Sequence, residues 1–346
     1  MSAKKILPII VVGFMLFGCE KKTDTYTTLH VGEPLRVVCE LSDSTFMQQV
    51  KSLLVYKNNI YFCDSRTNRI IRLDSVFNVD LSFGQSGRGP GEFTYLGSID
   101  MYNGNIYAWD APQKIIQFDL NGNYIKTLQM PTREIMSKNF MINHDGNLLY
   151  SVVDTLPIYI SNSNNNNIPL VKFGTITPKC KGVTPNFERY RFVKKNDNSF
   201  FAVCAFRPLV LEYDYSGNLL SKIDFSDSKY FKKLLKKAKE SIKKNDGYYV
   251  FFSDACMNND TLYLLATIHD EYDEPEVQNI LFVVDTDESK PKMMNYIVLE
   301  NNKEPWYDCF CIKDNELIAF DAISKCMCIY DMNQLTETGN QNETQK

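Results

Sequence analysis

Histidine, tryptophan and unbalanced charge are what this chain has least of. It carries three histidines, His30, His144 and His269, and two tryptophans in 346 residues. No two histidines stand at the spacing of a metal-binding pair, and no serine or cysteine nucleophile motif accompanies them, so the common zinc-hydrolase and triad signatures are missing. With 38 basic and 42 acidic side chains, a formal charge of −4, the chain has no basic excess and no nucleic-acid partner is expected. Long apolar runs are missing too. The best candidate, Ile6 to Phe17, would rise about 18 Å as a helix against a hydrocarbon core of about 30 Å, too short to cross. The glycine-rich stretch Gly87 to Gly91 lacks the phosphate-loop pattern. Its glycines are expected to permit positive φ in a connecting loop, with Phe93 anchoring the return in the core.

Aromatics are plentiful instead, 20 Tyr and 22 Phe, in short β-prone runs punctuated by Gly, Asn and Asp. That composition favours an all-β fold. The runs repeat. Residues 58–74, 104–119 and 315–331 each read as a turn, a strand ending in Asp, a tight connection and a second strand ending in Asp. Weaker copies begin at Asn147, Ser199 and Thr261. Taking the first apolar strand residue as marker gives Ile60, Ile106, Leu148, Phe200, Leu262 and Leu317, spaced 42 to 62 residues apart. Six such units suit a six-bladed β-propeller over residues 35–333, each blade a four-stranded sheet.

The longer steps have causes. Residues 161–167 form a polar loop, and residues 228–246 predict one helical insertion, with Phe231, Leu234, Leu235, Ala238 and Ile242 at helical spacing inside a lysine-rich surround. That helix is read chiefly as a solvated cap on a blade edge. The last unit ends too soon for a fourth strand, while Leu35 to Leu41 is a spare strand near the start. It is expected to pair as the outer strand of the last blade and close the ring, which removes an exposed edge. Cys39 then falls near Cys326 or Cys328, as a disulfide or as neighbouring thiols. The pairs Cys309/Cys311 and Cys326/Cys328 stand two strand spacings apart, too far to share one metal ion.

Lys4 and Lys5, the short apolar segment, and then Leu16-Phe17-Gly18-Cys19 resemble a bacterial lipoprotein signal. The resemblance implies removal of residues 1–18, lipidation of Cys19 and a membrane partner reached through the lipid anchor; residues 19–34 would be a linker and 334–346 a disordered tail. Ile60 to Ile70, followed by Leu73-Asp74, resembles the NHL repeat, with Cys63 in place of the usual alanine. Phe83 to Phe93 (Phe-Gly-Gln-Ser-Gly-Arg-Gly-Pro-Gly-Glu-Phe) resembles the loop typical of six-bladed β-propeller lipoproteins of the gut Bacteroidota. This implies a cell-envelope location, most readily the outer membrane, with the periplasmic and surface faces both open.

Function is less legible. Asp64, Arg66, Trp109, Asp110 and Asp321 are the candidate channel-mouth binding residues, although the repeated aspartates also suit turn capping. The acidic loop opened by His269 reads as a solvated hairpin tip. No cofactor and no metal are expected. The favoured reading is a non-catalytic binding module for a protein, peptide or glycan. The alternative is a channel-centred lyase or hydrolase, lactonase-like, with a divalent metal.

Overall fold

A computed structural model describes residues 27–111, 114–130, 135–162, 169–174, 188–227, 231–232, 235–236, 250–266, 280–287, 291–302 and 305–337. Cys19, the acidic loop after Ala266 and most of the expected helix over 228–246 lie outside the described residues.

Each repeat forms one antiparallel sheet. Blade one holds β3 (Val50–Tyr56), β4 (Asn59–Asp64), β5 (Arg69–Leu73) and β6 (Val79–Phe83). Blade two holds β7 (Leu96–Tyr102), β8 (Asn105–Asp110), β9 (Lys114–Asp119) and β10 (Tyr124–Gln129). Blade three holds β11 (Ile135–Ile142), β12 (Leu148–Val152), β13 (Ile158–Ser161) and β14 (Pro169–Phe173). Blade four holds β15 (Tyr190–Lys194), β16 (Ser199–Cys204), β17 (Leu209–Asp214) and β18 (Leu219–Asp224). Blade five holds β19 (Phe252–Asn258), β20 (Thr261–Ala266), β21 (Ile280–Asp285) and β22 (Lys292–Leu299), and blade six β23 (Tyr307–Lys313), β24 (Glu316–Asp321) and β25 (Cys326–Asp331). All six sequence markers fall in the second strand of their blades.

The apolar residues separate into six clusters, and every cluster joins two neighbouring blades. Tyr61 and Ile70 meet Leu96 and Phe118 across the first seam, and Val203 meets Phe282 across the fourth. The sixth cluster joins Phe62 of blade one to Phe320 of blade six, so the sheets close into a ring. The molecule is therefore a six-bladed β-propeller.

Closure runs through β2 (Arg36–Val38), which pairs antiparallel with β25 as Arg36 opposite Ile329, Val37 opposite Cys328 and Val38 opposite Met327. Cys39 and Cys326 form a disulfide. Two expected boundaries need correction. β1 (Thr27–Val31) is not linker: it adds in parallel to β22 and buries Val31. β26 (Thr336–Glu337), expected in a disordered tail, pairs with β1. β1 covers the outer edge of blade five, and β26 in turn covers part of the edge that β1 presents. Residues 231–232 and 235–236 are helical, and Phe231 packs fully buried among Phe225, Phe252 and Phe282.

Turn chemistry follows the expected aspartates. Asp74, Asp119 and Asp214 each accept amides from residues two and four further on. The Asn78 amide helps hold the Asp74 carboxyl below its ordinary value, as the Asn123 side chain does for Asp119. In the glycine-rich loop only Gly91 has positive φ, and the smallness of Gly87 has another cause. A Cβ there would sit 2.0 Å from the Glu92 carboxylate, which folds back to accept the Gly89 amide at 2.7 Å. Phe93 is fully buried, as expected.

Candidate functional site

The first strands β3, β7, β11, β15, β19 and β23 stand around the axis, and side chains from all six line a cavity of about 300 Å³. Polar groups on these strands bridge five of the six seams. Ser52 Oγ donates to Ile99 O at 3.2 Å, and Asp100 accepts the Ile142 amide at 2.6 Å. Arg191 pairs with Asp254 at 2.6 Å, and Asp254 also accepts the Phe310 amide at 2.9 Å. Lys51 pairs with Asp308 at 2.9 Å. A polar ring inside a β-protein is costly unless its members satisfy one another, and here each contact also fixes a blade against its neighbour.

Burial pushes the Asp100 carboxyl up to about 6, against the pull of the Ile142 and Met101 amides and of Lys194. Asp254 is raised by burial as well, opposed by Arg191 and the Phe310 and Ala255 amides.

A second cavity of about 160 Å³ lies at the mouth where the inner strands begin, lined in part by Lys51, Arg189, Arg191, Ser253 and Asp308. Its side chains are aimed by a repeated irregularity. Register slips by one residue between Val50 and Ser52, Leu96 and Ser98, Phe252 and Asp254, and Tyr307 and Cys309. The extra residues are Lys51, Gly97, Ser253 and Asp308. A bulge breaks the strict alternation of strand side chains and re-aims the residue it adds. Three of the four bulge residues line this mouth cavity.

The five residues singled out in the sequence are not assembled here. Asp64 is buried and accepts the amides of Gln48, Gln49 and Arg66. Asp110 accepts those of Thr94 and Tyr95 and pairs with Lys114 at 3.0 Å. Asp321 accepts those of Trp306 and Ile323. These carboxylates tie the end of each second strand to the start of its blade. Trp109 is buried against Phe140 in the seam between blades two and three. The Arg66 side chain is exposed and lines neither cavity. The residues that do line the channel have a sequence signal of their own. Lys51, Arg191, Ser253 and Asp308 each lie nine positions before their blade marker, as polar residues interrupting apolar strands.

A divalent metal is implied only by the catalytic alternative. Among the described residues no group of three or more His, Cys, Asp or Glu side chains is placed to hold one, so the donor set does not fit. The cysteine pairs follow the same logic: Cys309 and Cys311 lie on β23, Cys326 and Cys328 on β25, with β24 between them. Cys63, Cys204, Cys309, Cys311 and Cys328 are buried free thiols, and burial pushes Cys63 up to about 12.

Comparison with known proteins agrees with the fold. Residues 36–171, from β2 into the last strand of blade three, match a family described as "6-bladed beta-propeller". A Bacteroides fragilis protein described as exported superposes with a TM-score of 0.57 at 14% identity, covering 92% of this chain and 98% of that one. A catalytically inactive virginiamycin B lyase from Staphylococcus aureus, with quinupristin, gives 0.52 at 8% identity, covering 86% and 99%. At these identities the likeness is one of fold. No curated protein matches the sequence.

Proposed function

We propose that this protein is a binding module of the cell envelope, an NHL-like propeller lipoprotein held to the outer membrane through lipid on Cys19. Its propeller takes a protein, peptide or glycan at the channel mouth. One observation carries this reading. The carboxylates of the channel, Asp100, Asp254 and Asp308, are committed to the seams between blades, while the mouth above them stays open as a cavity. Rigid strands that present a concave polar mouth suit recognition more directly than turnover. The test is capture from envelope extract by the soluble protein, with cross-linking and a glycan array, alongside a variant whose mouth is filled by Ser253→Trp. A ligand that binds the native protein and not the filled variant supports the reading; the same capture by both sinks it.

The lyase or hydrolase alternative has one observation in its favour. Asp100 lines the larger cavity, and burial pushes its carboxyl up to about 6, the range of a general acid or base. It would require turnover that Asp100→Asn abolishes.

A further inference from the structure

The geometry points to a carboxylate-binding site at the channel mouth, with Arg189 as its principal donor. The use of such a site rests on the reading of the propeller as a binding module; its existence does not.

The cavity brings together Lys51, Arg189 and Arg191 against Asp308, with Asp254 just beneath. Four of these five charges are matched: Lys51 with Asp308 at 2.9 Å, and Arg191 with Asp254 at 2.6 Å. Arg189 has no carboxylate partner among the described residues. Its Nε is shut off from water and has no hydrogen-bond partner. One face of its guanidinium lies 5.5 Å from the centroid of the Phe206 ring, which restrains the plane of the group. Behind it, Glu188 is occupied with Arg207, and it accepts the Phe206 amide at 3.1 Å.

With no acceptor among the described residues, the two outer nitrogens of this guanidinium form a two-pronged donor that matches the two oxygens of a carboxylate. The charge count selects the anion. One unmatched positive charge is neutralised by a monovalent carboxylate and overbalanced by a dianion. Lys51, aimed by its bulge, has ammonium protons beyond the one it gives Asp308 and supplies a further donor on the cavity wall. A cavity of about 160 Å³ admits the carboxylate with a few attached carbons and leaves the rest of the ligand outside.

Calorimetric titration of the purified protein with D-glucuronate, and separately with sodium sulfate, tests the site at low ionic strength. Glucuronate is expected to saturate one site and sulfate to bind more weakly. Arg189→Gln is expected to lose about tenfold or more in affinity, and Arg189→Lys, which keeps the charge but not the fork, to fall between. An unchanged melting temperature shows that either variant is folded. Should Arg189→Gln fail to fold, Arg189→Lys decides. No glucuronate binding by the native protein, or equal binding by the folded variants, overturns the proposal. Tighter sulfate binding overturns the carboxylate assignment. Glucuronate binding without any envelope ligand would leave this site standing and remove the binding-module reading instead.

Discussion

Cys39 and Cys326 are joined across 287 residues of sequence, with their Cα atoms 4.1 Å apart. The pairing follows from register. Val37 stands opposite Cys328 and Val38 opposite Met327, so the next residue, Cys39, reaches Cys326. Cys328 points instead into the seam with blade five, within 3.7 Å of the Asn301 amide nitrogen.

A link across so long a loop restricts the unfolded chain strongly, by about 5 kcal/mol on chain-entropy grounds and more commonly 2–5. Replacing both cysteines by alanine is expected to lower the free energy of unfolding by an amount in that range, and the unfolding midpoint with it. Reductant should move the native protein to the same midpoint and leave the variant unchanged. Equal midpoints for native and variant protein would show that the clasp contributes nothing.

Asp64, fully buried, accepts three backbone amides. Asp64→Ala strands them and is expected to destabilise by roughly 2–4 kcal/mol in urea unfolding, with Asp64→Asn milder because one oxygen remains. Asp74→Ala, on an exposed turn, should cost less than either. A loss at Asp64 no larger than at Asp74 would contradict the structural role.

The stability of the channel should depend on pH through Asp100, whose carboxyl is pushed up from an ordinary 3.8 to about 6. The folded state then binds this proton more tightly than the unfolded state. Its contribution therefore falls as pH rises from about 4 to 6 and stays at its lowest above that. Asp100→Asn is expected to be more stable than the native protein at pH 8, by no more than about 3 kcal/mol, with the advantage vanishing near pH 4. Melting curves across that window check it; an advantage that grew on acidification would contradict the raised value.

Cys19→Ala is expected to shift the protein from the membrane fraction to the soluble envelope fraction, because acyl chains each contribute about 0.8 kcal/mol per buried methylene. Fractionation of cells expressing each form reads this directly. Unchanged membrane association would remove the proposed anchor.

The ring was legible because its repeat is carried by second and third strands, where Ile60, Ile106 and Leu317 recur beside fixed aspartates. The spare strand was legible for the complementary reason: the last unit was one strand short. The site was not. First strands lack the aspartate landmarks; four of them carry a bulge that changes side-chain direction, and the trace left in sequence is, in three of the four, only a polar residue nine positions before the blade marker. It is the bulges that turn Lys51 and Asp308 into one mouth. Asp64 and Asp110 are the opposite case: their carboxylates, conspicuous in sequence, serve the backbone amides that the capping reading expected, with Lys114 as a further partner of Asp110.

β1 runs parallel to β22, and β22 ends on the side where Lys51, Ser253 and Asp308 open. The chain therefore arrives from the far side of the disc. With lipid on Cys19 as proposed, eight peptide units lead to Thr27, a leash of at most about 30 Å when fully drawn out. So short a stalk, approaching from below, would hold the disc like a dish facing away from the bilayer. Whatever it gathers would come from the aqueous medium and not from the lipid beneath.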